Sequence, residues 1–114
     1  MNAPAVQPLS ADVSVAPQLD PAAMAWAAQA GFRSVINNRP DFEAGPDQPT
    51  SATMQAAAQA AGLRYAHLPV APAAQTPAEI ARFAELLAEL PRPILAFCRS
   101  GARSGKLYRA ATGG

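Results

Sequence analysis

Cys98-Arg99-Ser100-Gly101-Ala102-Arg103-Ser104 is the stretch of this chain best equipped for chemistry. It holds the only cysteine in the 114 residues and follows directly on the apolar run Ile94-Leu95-Ala96-Phe97. A thiol attacks only as the thiolate, and a free cysteine titrates near ~8.5, so a reactive site must lower that value with fixed positive charge or converging donors. This loop can supply both. Backbone N–H groups of a tight turn entering a helix form an anion nest, and the helix dipole adds to the field. Gly101 gives the turn access to left-handed angles. Arg103 can present a two-pronged donor to an oxyanion, and Ser104 is placed to donate to the thiolate or to a departing group. Cys98 and Arg103 are the expected catalytic pair, with Arg99, Ser100, Gly101, Ala102 and Ser104 forming an anion-binding loop. A cysteine that only filled apolar space would not need arginine, glycine and arginine immediately after it.

The elements that must position this loop are legible from pattern. Val13–Ala16, Phe32–Asn37, Leu63–Val70 and Ile94–Phe97 read as strands. Asp20-Pro21 reads as an N-cap with proline at the first helical position, opening a helix that stops near Gly31. A second helix spans about Ser51 to Ala61, with Gly62 as its stop. Thr76-Pro77-Ala78-Glu79 is a capping box with proline, and Ile80, Phe83, Ala84, Leu87 and Leu90 share one helical face. A short last helix is expected over Ser104–Ala110. Strands alternating with helices imply a single α/β domain, with a mostly parallel sheet of four to five strands flanked by helices. Residues 1–10 read as a flexible lead-in and 11–114 as the domain. In open α/β sheets the ligand crevice lies beyond the carboxyl ends of the strands. Cys98 sits at such an end, and so does the turn Asn38-Arg39-Pro40-Asp41.

Composition narrows the function classes. A chain of 114 residues suits one core. The formal net charge of +1 argues against nucleic-acid binding, yet no acid follows Glu89, while Arg92, Arg99, Arg103, Lys106 and Arg109 do. One cysteine cannot form an internal disulfide. The first eight residues carry no basic residue and no long apolar core, and no segment nears the roughly 20 apolar residues of a membrane span, so a cytoplasmic protein without membrane contact is expected. One Cys and one His make a metal site improbable, and no cofactor motif is present. Ser104-Gly105-Lys106 fails as the end of a nucleotide-binding P-loop, because position 100 is serine and Leu107 follows the lysine.

From about Leu9 to Ala110 the chain resembles the phosphatase-like domain of the β-lactamase-hydrolase-like proteins, a bacterial family with the fold of dual-specificity phosphatases. The resemblance rests on Gly31-Phe32-Arg33-Ser34-Val35-Ile36-Asn37-Asn38-Arg39-Pro40-Asp41, on His67-Leu68-Pro69-Val70 and on the Cys98–Ser104 loop. It implies a cysteine-phosphatase-like fold. Some family members carry the domain fused to a persulfide dioxygenase, a setting with which sulfurtransferase activity is associated.

The resemblance leaves two chemistries open. Tyrosine and dual-specificity phosphatases use Cys, five residues, then Arg, usually with His before the Cys. Here four residues separate Cys98 from Arg103, and Phe97 precedes the cysteine. The pattern Cys-Arg-x-Gly-x-Arg is similar to the loop of rhodanese sulfurtransferases, and a shorter ring of donors suits the outer sulfur of a persulfide better than a whole phosphate. The loop that would carry a phosphatase's general acid is Ala71-Pro72-Ala73-Ala74-Gln75-Thr76, without an acid. Asp41 is the residue that could take the acid's place, and Arg39 is expected to help line the anion site. His67 reads as structural. The first expectation is a sulfurtransferase that takes sulfane sulfur from thiosulfate or a small persulfide onto Cys98, with an acceptor thiol or a persulfide dioxygenase as partner. The alternatives are a phosphatase acting on a phosphate ester through a Cys98 phosphocysteine, and a non-catalytic anion- or persulfide-binding module.

Overall fold

A computed structural model describes residues 4–113. Nine elements succeed one another: β1 (Gln7–Pro8), β2 (Val13–Ala16), α1 (Ala22–Gln29), β3 (Ser34–Asn37), α2 (Ser51–Ala60), β4 (Arg64–His67), α3 (Pro77–Glu89), β5 (Ile94–Phe97) and α4 (Ala102–Thr112). The strands form one sheet in the order β1-β2-β5-β3-β4. All pairings are parallel except the antiparallel β1–β2 edge. The expected α/β architecture is the observed one, with β5 at the centre of the sheet.

Side chains alternate across a strand, so each strand feeds two cores. Leu95 and Phe97 of β5 point to the side of α1 and α2, where they meet Met24, Ala27, Met54 and Ala58. Ile94 and Ala96 point to the side of α3 and α4, against Phe83, Leu86, Leu87 and Leu107. This is why β5 reads as four apolar residues in a row: both faces are covered. Several helix starts follow their sequence cues. The Asp20 carboxylate accepts from Ala23 N at 2.9 Å at the head of α1. Thr76 and Glu79 form the capping box of α3, at 3.1 and 2.8 Å.

Several boundaries differ from the sequence reading: α1 begins at Ala22 with Pro21, not Asp20, at its N-cap, and β3 begins at Ser34 rather than Phe32. Gln7 and Pro8, expected within a flexible lead-in, pair with Val15 and Ser14 as an edge strand. That edge is a suitable place for proline, which has no N–H to give to a ladder. Only Arg64–His67 of the expected Leu63–Val70 strand is ladder, because Pro69 interrupts it. The last helix begins at Ala102 rather than Ser104 and runs to Thr112. Gly101 supplies its N-cap with φ 92°, and Gly105 N closes the first turn onto Gly101 O at 2.9 Å. Arg103 and Ser104 are therefore helical residues, held more rigidly than a loop would hold them. Among the described residues no helix is long and apolar enough to cross a membrane.

Candidate active site

Four parallel strands end on one side of the sheet, and the site is built from the residues at those ends and the segments leaving them. β5 delivers Cys98, which is 1% exposed. Cys98 N donates to Ala16 O at 3.4 Å, tying the loop to the end of β2. The chain then turns through Ser100 and Gly101 into α4, and Gly101 N donates to Cys98 Sγ at 3.1 Å. Burial pushes the thiol up. The backbone N–H groups of Ser104, Ser100, Gly101 and Arg103 outweigh it, and the thiol lies below its ordinary value. The groups that lower the thiol are therefore backbone donors, Gly101 N by a direct hydrogen bond. Gly101 holds φ 92°, a left-handed conformation that favours glycine, while a Cβ there would meet Ala16 C and O at 3.4 Å, an ordinary contact.

Arg103 is held by an acid that sequence reasoning did not single out. Its Nη1 donates to Glu43 Oε2 at 3.1 Å and to Val70 O at 2.9 Å, and its Nη2 donates to Glu43 Oε1 at 3.1 Å. An arginine has five N–H donors. Among the described residues three are used, and the two that remain are Nε–H and the second Nη2–H, which lie side by side on one edge of the guanidinium. Two parallel donors on one edge match two oxygens of an oxyanion. Glu43 Oε1 also accepts from Arg39 Nε at 2.8 Å. Burial pushes the Glu43 carboxyl up, but hydrogen bonds and charge from Arg103 and Arg39 win and hold it below the usual carboxylate range.

Several expected roles change on contact with the structure. Arg39, expected to line the anion site, is 6% exposed, and its guanidinium is taken up by Glu43 and by Gln18 Oε1 at 3.1 Å. It sets Glu43, which sets Arg103. Asp41, expected as a stand-in acid, is exposed, and its Oδ1 accepts from Ser51 N at 2.7 Å at the head of α2. Ser104, expected to donate to the thiolate or to a departing group, gives its hydroxyl proton to Asn38 Oδ1 at 2.8 Å, and its backbone N–H is among the donors that lower the thiol. Asn38 is fully buried and also bonds Leu68 O at 3.1 Å, so it locks α4 to the ends of β3 and β4. His67 has a structural partner, with Nε2 at 2.9 Å from Arg39 O.

A family model described as "Beta-lactamase hydrolase-like protein, phosphatase-like domain" matches residues 6–114. The chain belongs to this family. A Beta-lactamase hydrolase-like protein of Agrobacterium fabrum is 42% identical over 78 residues, 68% of this chain and 18% of that protein. One from Xylella fastidiosa is 43% identical over 81 residues, 71% of this chain and 19% of that protein. The chain therefore spans about a fifth of the length of these relatives. A Neisseria meningitidis crystal structure described as a candidate phosphatase superposes with TM-score 0.82 at 31% identity, over 90% of this chain and 72% of that one. The fold is also that of P. aeruginosa TpbA, solved as a cysteine-to-serine variant in complex with phosphotyrosine, with TM-score 0.64 at 18% identity over 91% of this chain and 61% of that one.

In this phosphatase-like domain a cavity of about 310 Å³ opens at the loop. Cys98, Arg99, Ser100, Ala102, Arg103 and Lys106 line one side, with Pro72, Ala74 and Gln75 opposite. Gln75 Nε2 donates to Arg103 O at 3.0 Å, pinning the Ala71–Thr76 loop against the start of α4. Neither Asp nor Glu among the described residues lines the cavity. Among the described residues no cluster of three or more His, Cys, Asp or Glu could hold a metal ion. The site residues that sequence reasoning missed are Glu43, Asn38, Gln75 and Lys106. Glu43 stands four residues after Arg39, a spacing that hints at their pair. Its bond to Arg103, sixty residues away in the chain, has no local sign.

Proposed function

We propose that this domain is a cysteine-thiolate sulfurtransferase. The observation that carries the reading is a depressed thiol in a donor-lined cavity with no proton-donating acid. Glu43, the carboxylate paired with Arg103, is held ionised by two arginines, and Asp41 spends its carboxylate on the head of α2. A phosphatase acting on a poor leaving group needs a carboxylic acid to protonate the departing oxygen. Sulfur transfer needs no proton. The Cys98 thiolate attacks the sulfane sulfur of thiosulfate, a new S–S bond forms, the old one breaks, and sulfite leaves with the electron pair. The product is a Cys98 persulfide anion, and total charge is unchanged. A thiolate acceptor then attacks the outer sulfur and regenerates Cys98. The free edge of Arg103 suits the oxygens of the thiosulfate sulfonate end, and the N–H ring suits the terminal sulfur.

The second reading is a cysteine-dependent phosphatase. It is favoured by the phosphatase-like family, by the candidate phosphatase from Neisseria meningitidis and by the shared fold with TpbA. In this reading Cys98 forms a phosphocysteine, the free Arg103 edge holds two phosphate oxygens, and the substrates are aryl esters, whose leaving groups need little acid help. One assay pair separates the readings. Cys98-dependent thiocyanate from thiosulfate and cyanide is expected. Aryl phosphate turnover lost in Cys98→Ser, without thiocyanate, would replace sulfur transfer with phosphate hydrolysis. Anion binding with neither turnover would favour a non-catalytic module.

A further inference from the structure

We infer that the cavity beside Cys98 contains a second anionic subsite, formed by Lys106 and Arg99, that selects substrates bearing a carboxylate a few bonds from the reacting group. The inference rests on Cys98 being the reacting thiolate, and not on whether sulfur or phosphate is transferred. Three cationic side chains line the cavity, Arg99, Arg103 and Lys106. Arg103 is balanced by a bidentate pair with Glu43. Arg99 and Lys106 are exposed, and among the described residues neither takes part in an ion pair. Among the described residues no acidic side chain lines the cavity to offset them.

Lys106 stands three residues after Arg103 on α4, so the two side chains are neighbours on one helix face, with Cβ atoms about 5–6 Å apart. The reacting anion occupies the N–H ring and the free edge of Arg103. Lys106 is nearly one turn further along the helix and also lines the cavity, and Arg99 is the residue after Cys98 on the loop. A cavity of about 310 Å³ has room for more than one tetrahedral anion. A monoanion would leave the two outer charges unmet, whereas a second negative group separated from the first by a short chain would meet them. Under the sulfur reading the substrate class is a carboxylate-bearing thiol or persulfide.

The test is equilibrium binding to the Cys98→Ser protein, by titration calorimetry at low ionic strength, of two probes that share a sulfonate. Sulfopropanoate carries the added carboxylate, and propanesulfonate does not. The dianion is expected to bind about fivefold tighter, in keeping with one partly solvated ion pair, and the preference should shrink as salt is added. Lys106→Gln should reduce the preference to less than twofold, Lys106→Arg should retain it, and Arg64→Gln, at the opposite end of the sheet, should leave it unaltered. Equal affinity for the two probes, no binding of either, or a preference that survives Lys106→Gln would overturn the subsite. Mass measurement of the wild-type protein after thiosulfate, run in parallel, keeps the two claims apart. A probe preference without sulfur on Cys98 removes the sulfur reading and leaves the subsite standing. Sulfur on Cys98 without a probe preference removes the subsite alone.

Discussion

At the residue scale the site is a chain of settings. Gln18 and Glu43 hold Arg39, Arg39 and Arg103 hold Glu43, and Glu43 leaves Arg103 one free edge. Glu43→Gln removes the shared charge and leaves two arginines facing each other. A buried pair broken on one side loses roughly 3–5 kcal/mol, and the partly exposed Glu43 falls at or just below the low end of that range. Chemical denaturation should show that loss, together with weaker anion binding. The pH sign is set by the direction of the shift. The folded carboxyl lies below its unfolded value, so its stabilisation is complete above the unfolded value and is lost as pH falls through the lower folded one. Stability measured down the acid limb should therefore fall less steeply in Glu43→Gln. For Cys98, the alkylation rate against pH should inflect below the ordinary thiol value. An inflection at or above that value would remove the thiolate from the account. The nucleophile, Arg103 and the glycine were legible from sequence because local composition marks them. Glu43 and Asn38 were not, since their partners lie some sixty residues away and only the fold brings them together. Ser104 was legible as a loop member but not in its role, because that depends on which way Asn38 faces.

At the scale of elements, the loop works because β5 and α4 are fixed before the chemistry begins. The four apolar residues of β5 were readable as a central strand because burial on both faces leaves no alternation. The start of α4 was misplaced by two residues. The turn into it is set by the left-handed Gly101, which caps the helix by backbone geometry without a capping side chain. Gly101→Ala places a side chain in that left-handed conformation, at about 1–2 kcal/mol. Thermal melting should show the loss. The alkylation inflection of Cys98 should rise as the N–H donors splay. An unshifted inflection would mean that the nest does not set the thiol. Asp41→Ala should remove the carboxylate that accepts from Ser51 N, with a loss of about 1 kcal/mol. The Asp41 effect should appear in the melting temperature while the pH profile of turnover keeps its shape. A lost limb in that profile would restore Asp41 as an acid.

At the scale of the whole molecule, the parallel sheet gathers the ends of β2, β3, β4 and β5 on one side, and the site takes a residue or a backbone carbonyl from each. Phe97 packs under the loop in the core shared with α1 and α2 and is fully buried. Phe97→Ala should destabilise the domain by about 3–5 kcal/mol through the cavity it leaves. The loss should appear as one cooperative unfolding transition. The alternating pattern made this architecture legible, and the family comparison agrees with it. The group transferred was less legible, because a phosphatase-like scaffold and an acid-free cavity point to different chemistry, and function resides in the site more than in the fold. The most direct measurement is the intact mass of the protein after incubation with thiosulfate. A gain of one sulfur atom on Cys98 is expected, absent in Cys98→Ala and discharged by an added thiol. An unchanged mass, alongside Cys98-dependent hydrolysis of an aryl phosphate, would contradict it.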